Sequence, residues 1–96
     1  MKVRYTPRAR NDIVQIAGYL SERSLVGARN VRHAIDRVIE LIGEHPHSGR
    51  RAGEQGTRML PVGHYPYIVY WKIEADEAWI VHIRHAARQP WRDSSL

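Results

Sequence analysis

The chain has 96 residues, a formal net charge of +5 and a pI near 10.1, and thirteen of its fifteen basic residues are arginine. That length fits a single domain, 1–96, which buries only about two-thirds of the surface its unfolded chain exposes. Cysteine is absent, which excludes a disulfide framework and thiolate metal sites. No apolar run approaches the roughly 18 residues of a membrane span. Met1-Lys-Val-Arg-Tyr5 has no signal-peptide core, so the expected location is the cytoplasm, without membrane contact. A hydrophobic content of 43% beside 26% charged residues describes a folded globular chain. Arginine in excess suits planar, bidentate contact with phosphate or carboxylate, which favours nucleic acid or an acidic protein as partner. On composition alone a merely solubilising basic surface is an equal alternative.

In chain order, Lys2-Val-Arg-Tyr5 alternates and reads as a short strand with Val3 and Tyr5 inward. Thr6 offers a hydroxyl cap, and Pro7 suits the first helical position, where its missing N–H does no harm. Ala9, Ile13, Ile16 and Leu20, with Ala17 beside them, lay an apolar stripe along a first helix; Arg8 and Asp12 form an i,i+4 pair outside it. Ser21 to Gly27 is a polar break. Ala28, Val31, Ile35, Val38 and Ile42 then repeat the spacing in a second helix, packed antiparallel on the first because the link is short. Gly43 and Pro46 end it.

His45 to Gly56 has no periodicity and reads as a loop. Arg58, Leu60 and Val62 alternate in a strand whose Pro61 marks an edge or an early end. Tyr67 to His85 reads as a β-hairpin: two β-branched and aromatic runs flank Glu74-Ala-Asp-Glu77. If the odd positions of both strands share a face, Tyr67, Val69, Trp71, Ile73, Trp79, Val81 and Ile83 point to the core. Ile68, Tyr70, Lys72, Ile80, His82 and Arg84 are then displayed on the face away from the helices. Pro90 bars further ladder pairing. The order strand, helix, helix, strand, strand, strand predicts an α+β sandwich, a helical hairpin on one face of a mostly antiparallel sheet (β-α-α-β-β-β).

Several stretches together resemble the RelE/ParE toxin superfamily of bacterial type II toxin–antitoxin modules. They are the helical pair ending in Glu44-His45-Pro46 with Gly49 after it, Arg58-Met59-Leu60, Tyr67-Ile68-Val69-Tyr70-Trp71, and Ile83-Arg84-His85-Ala86-Ala87-Arg88-Gln89-Pro90. The resemblance spans almost the whole chain, and its specificity lies in the combination rather than in any one motif. It implies the same fold, no cofactor, and a cognate antitoxin as tight partner, whose acidic or amphipathic C-terminal segment folds onto the toxin across its helical hairpin and sheet edge. DNA is then contacted only through the antitoxin.

The superfamily has two known activities. Its ribonuclease branch cleaves ribosome-bound messenger RNA and needs a base, an acid and cations around the phosphate. Where that branch carries most of its cations, this sequence has Met59, Pro61, Ile68 and Ala86. Each lost donor removes about 3–4 kcal/mol of transition-state stabilisation. The other, ParE-like branch poisons DNA gyrase by binding and has no recognised catalytic set; the closing His85-Ala-Ala-Arg88-x-Pro90 also resembles it more. The resemblance therefore implies a growth-inhibiting gyrase toxin without catalytic residues. A ribosome-dependent ribonuclease with a rearranged site, using His82, Arg84, His85 and Arg88, is the alternative. A silenced toxin acting only with its antitoxin in operon autoregulation is a third reading.

Arg84, His85 and Arg88 lie where a strand runs out, a place from which side chains reach a partner, and Trp91 is a candidate contact anchor. These four are the candidate target-binding residues, against a structural reading in which the arginines tie down nearby carbonyls and Trp91 packs back on the sheet. His45-x-His47 and His82-x-x-His85 are the closest histidine spacings, but no further ligand stands at a recognisable interval, so no metal is expected. His64 and His82 are the candidate bases only in the ribonuclease reading.

Overall fold

Thr6 marks where the chain stops being a strand and becomes a helix. Its backbone is extended (φ −71°, ψ 159°), and its Oγ1 accepts the Ala9 N–H at 3.1 Å, with Pro7 directly after it. Strand β1 (Lys2–Tyr5) ends there and helix α1 (Pro7–Ser21) begins. In the computed structural model, which describes residues 1–53 and 55–87, the polar break is shorter than expected. Ser24 caps the next helix by accepting the Gly27 N–H at 3.0 Å, so α2 (Leu25–Glu44) starts inside the expected break.

The two helices pack on each other and on one face of a five-stranded sheet. Val31, Ile35, Ile39 and Ile42 of α2 and Ala9 of α1 are buried, with Ile13, Ile16, Leu20 and Val38 partly buried against them. Ile39 joins the stripe that the spacing ran through Val38, and Ala17 is exposed rather than packed. No described helix is long and apolar enough to cross a membrane.

The remaining strands are β2 (Arg50–Arg51), β3 (Arg58–Pro61), β4 (Tyr67–Glu74) and β5 (Glu77–His85), and the sheet order is β1-β5-β4-β3-β2. Only the β1–β5 pairing is parallel, so the architecture is the expected α+β one. The stretch His45–Gly56, read as loop, contains β2. Its anchor is Trp71, fully buried, whose indole Nε1–H donates to the Pro46 carbonyl at 3.0 Å. Arg58 adds a bond from Nη1 to the His47 carbonyl at 2.8 Å. Gly49 threads between these contacts at φ +77°, where an added Cβ would stand 2.6 Å from both the Met59 carbonyl oxygen and Trp71 Cη2. Only glycine fits that conformation and that space.

β4 and β5 are joined by Ala75-Asp76 with φ of 50° and 60°, the mirror-image two-residue turn whose twist matches the flanking strands. From there the register runs Glu74↔Glu77, Lys72↔Trp79, Trp71↔Ile80, and then skips to Tyr70↔His82. Val81 is the extra residue of a β-bulge, and the alternation expected along β5 breaks at it. Ala78 and Ile80, both 0% exposed, lie in the core, while Trp79 and Val81 are only partly buried. Beyond the bulge Ile83 returns to the core, as expected. On the opposite face, Tyr70 and His82 are 3% and 9% exposed, so this surface is not the open display that alternation implied.

Tyr5 packs where β1 meets the helices, and its phenol is held above the ordinary value of 10.0, mainly by burial and then by the Asp36 carboxylate, with Arg32 and Arg10 opposing.

Gly49→Ala is expected to lower stability by about 2 kcal/mol or more, since backbone strain and overpacking against Trp71 combine; urea unfolding of the two proteins measures it. Ala75→Asn is expected to raise stability by about 0.5–1 kcal/mol, because asparagine tolerates positive φ where alanine is strained. An unchanged melting temperature would mean that the turn is not formed as described.

Candidate functional site

β1 pairs with β5 only as far as Tyr5↔Ile80. Past that point the edge of β5 that faced β1 would be bare, and α1 supplies the missing partners. The Thr6 N–H donates to the Ile80 carbonyl at 3.0 Å and its hydroxyl to the Val81 carbonyl at 3.2 Å. Two turns later, Asp12 Oδ2 accepts the Ile83 N–H at 2.9 Å and faces His82 Nδ1 at 2.7 Å. A carboxylate on that nitrogen holds the ring with its proton on Nδ1. Asp12 is thus not the surface partner of Arg8 that i,i+4 spacing suggested; it takes the place of a strand. Buried N–H groups require an acceptor, and the sheet here has none to give.

His82 stacks on Tyr70 with ring centroids 5.8 Å apart and planes 20° from parallel. The Tyr70 hydroxyl accepts from Arg84 Nε at 2.9 Å, and Arg84 Nη1 reaches the carbonyls of His85 and Ala86 at 3.3 and 3.4 Å. Arg84 therefore does part of the structural work weighed against its binding role, fastening the strand exit. His85 Nδ1 accepts the Ala87 N–H at 3.1 Å, and its ring meets Tyr67 edge-on at 5.3 Å. Arg88 and Trp91 lie outside the described residues.

Between α1 and this end of β5 runs a groove of about 380 Å³. Ile16, Tyr67 and Ile83 supply its apolar lining, Asn11, Gln15 and Tyr19 line it from successive turns of α1, and Arg84 and His85 line it from the sheet. Among the described lining residues the one carboxylate is Asp12, whose Oδ2 is occupied by the Ile83 amide and His82, while the Arg84 guanidinium is held by Tyr70 and nearby carbonyls. Such a groove accepts an apolar side chain with an acidic neighbour. Sequence reading found Arg84 and His85 but missed Asp12, Asn11, Gln15 and Tyr19. The available signal was the position of Asp12 one turn before Ile16, on the flank of the apolar stripe.

On the sheet face shared by Tyr70 and His82, cross-strand pairing aligns Arg50, Met59, Tyr70 and His82 in one row and Pro61, Ile68 and Arg84 in the next. The middle of this face is occupied by Met59, Pro61 and Ile68. Among the described residues, no three His, Asp or Glu side chains gather into a cluster suited to a metal ion.

Residues 3–90 match the family model of the ParE toxin of the type II toxin–antitoxin system parDE, and the chain belongs to that family. It is 30% identical over 88 residues to toxin Y4kP of Sinorhizobium fredii, covering 92% of this chain and 91% of that protein. Toxin RelE2 of Caulobacter vibrioides is 29% identical over 87 residues, 91% of this chain and 97% of the other. A solved chain described as the chromosomal ParDE TA system from P. aeruginosa superposes with a TM-score of 0.67 at 20% identity, covering 88% of this chain and 95% of that one; that likeness supports the fold.

Asp12→Ala leaves the Ile83 N–H and the His82 ring without their acceptor and is expected to cost about 2–3 kcal/mol. Asp12→Asn, which keeps an acceptor oxygen, should cost less. Equal stability of Asp12→Ala and the parent in chemical denaturation would mean that α1 does not complete this edge.

Proposed function

We propose that this ParE-family toxin arrests growth in the cytoplasm by docking on DNA gyrase through the strand-exit groove, without chemistry of its own. The observation that carries the reading is the groove itself: an apolar lining beside Arg84 and His85, with the Asp12 carboxylate already hydrogen-bonded to the Ile83 amide and facing His82. Arg88 and Trp91, assigned to target binding from the sequence, lie outside the described residues. Further support comes from Met59, Pro61 and Ile68 on the sheet face, where the ribonuclease branch of the superfamily concentrates cations. A phosphate in flight finds no stabilising charge in such side chains. The cognate antitoxin holds the toxin silent by folding an acidic segment onto it, which suits the arginine excess, and brings the pair to operator DNA.

A ribosome-dependent ribonuclease is the second reading, and one observation favours it. His82 is oriented by Asp12 in the manner of a general base, with Arg84 bonded to the neighbouring Tyr70 hydroxyl. The experiment that separates the two is supercoiling by purified gyrase with and without the chain, run beside cleavage of ribosome-bound message. Inhibited supercoiling with intact message is the expected result; cleaved message with unaffected gyrase would replace the first reading by the second. Arg84→Ala combined with Arg88→Ala should relieve growth arrest by about tenfold or more if these arginines anchor the target. Full toxicity in a variant that melts like the parent would sink the strand-exit proposal.

A further inference from the structure

The bulge at Val81 decides where Trp79 goes. Before it, Ala78 and Ile80 are the buried residues of β5, so Trp79 stands on the opposite face, the one turned away from the helices. There it pairs with Arg4 of β1 on one side and Lys72 of β4 on the other. Residues paired across neighbouring strands share a face, so the three form one row: a cation, an indole and a second cation. Two strand spacings, about 10 Å, separate the outer members of the row. Trp79 is only partly buried, and the Arg4 and Lys72 side chains are 46% and 35% exposed.

The next row toward the hairpin turn is Lys2, Glu77 and Glu74. Its two carboxylates hold the cations from that side: Arg4 Nε donates to Glu77 Oε2 at 2.8 Å, and Lys72 Nζ lies 3.1 Å from Glu74 Oε1. Pairs this exposed add little to stability, because water screens them. Their effect is geometric, keeping each cation beside the row and making the turn side unfavourable to phosphate. On the other side, toward the bulge, the paired Tyr70 and His82 are buried. The accessible path therefore crosses the strands along Arg4, Trp79 and Lys72.

We infer that this row is a binding site for single-stranded nucleic acid, with one base stacked on Trp79 and the phosphates on either side of it meeting Arg4 and Lys72. An aromatic ring between cations on a sheet face suits a base and its backbone together. Every base has a π-face, so the site tolerates any sequence. A duplex keeps its bases stacked on each other and offers the row only phosphates. An acidic peptide would meet the cations but give the indole no planar guest. The strand-exit groove includes none of these three residues, and the ribonuclease reading needs His82, Arg84, His85 and Arg88, none of which belongs to the row. The inference is therefore independent of which target the toxin arrests.

The test uses the full chain and a fluorescein-labelled oligothymidine of about ten nucleotides, read by fluorescence anisotropy. Saturable binding is expected, weakened about tenfold by Trp79→Ala and largely restored by Trp79→Tyr, which keeps a stacking ring. Unlabelled oligothymidine should quench tryptophan emission in the parent, and the quench should disappear in Trp79→Tyr. Arg4→Gln combined with Lys72→Gln should weaken binding and flatten its log–log salt dependence by about 0.7 for each lost contact. Arg29→Gln combined with Arg37→Gln, at exposed positions of α2, should do neither. Equal weakening by both double substitutions would show only the attraction of a basic surface for phosphate and overturn the inference. Competition by a duplex or an abasic strand of the same length as good as that of oligothymidine would overturn it too, as would full affinity in Trp79→Ala or no binding by the parent. Circular dichroism melts exclude unfolding as the cause, and the Arg4 and Lys72 substitutions, at surface side chains, test the site even if Trp79→Ala fails to fold.

Discussion

The extra residue at Val81 is the constraint on which the rest of the molecule depends. A bulge at the middle of β5 turns the strand so that Ala78 and Ile80 face the core before it and Ile83 faces the core after it. It coincides with the point where β1 leaves the sheet, so one short segment changes both its facing and its neighbour. α1 can close the gap because Thr6 and Asp12 reach the backbone that the departing strand abandons. Sheet, helix and groove are in this sense one arrangement: the helix completes the edge, and the groove is the space that remains where the two diverge.

This arrangement bears on the binding role proposed for the basic strand exit. Arg84 is held at one side by Tyr70 and at the other by the carbonyls of the turn that follows, so little freedom remains to be lost when a partner arrives. The carboxylate that would compete for it is engaged elsewhere, by His82 and a backbone amide. Rigid display of a few charges on a small scaffold suits the docking role proposed for it. The sheet ends differently on its two sides: beside α1 it leaves a groove, and on the far side β2 is the last of the described strands.

The most legible parts of the sequence were those set by local chemistry. Thr6-Pro7 ends a strand and starts a helix wherever it occurs, and three-four spacing of Ile13, Ile16, Leu20, Val31, Ile35 and Ile42 leaves no other helical face to bury. The hairpin of β4 and β5 followed from two apolar runs with polar residues between them. The sequence also placed Arg84 and His85 at the strand exit, since Ala86-Ala87 ends the β-branched run. Less legible was β2, because two arginines carry no periodicity; their strand exists through pairing with β3 and through the Gly49 turn packed on Trp71.

The order of the two helices and of every described strand but β2, the helical stripes and the resemblance to a toxin family were thus determined by the sequence itself, because propensity, capping and spacing act between near neighbours. The facing of β5, the role of Asp12 and the lining of the groove were decided by the tertiary structure. Period-two alternation cannot announce a bulge, since the extra residue is defined only against the strand opposite. Nor can helical spacing tell a carboxylate paired with Arg8 one turn away from one that serves the amide of Ile83, 71 residues along the chain.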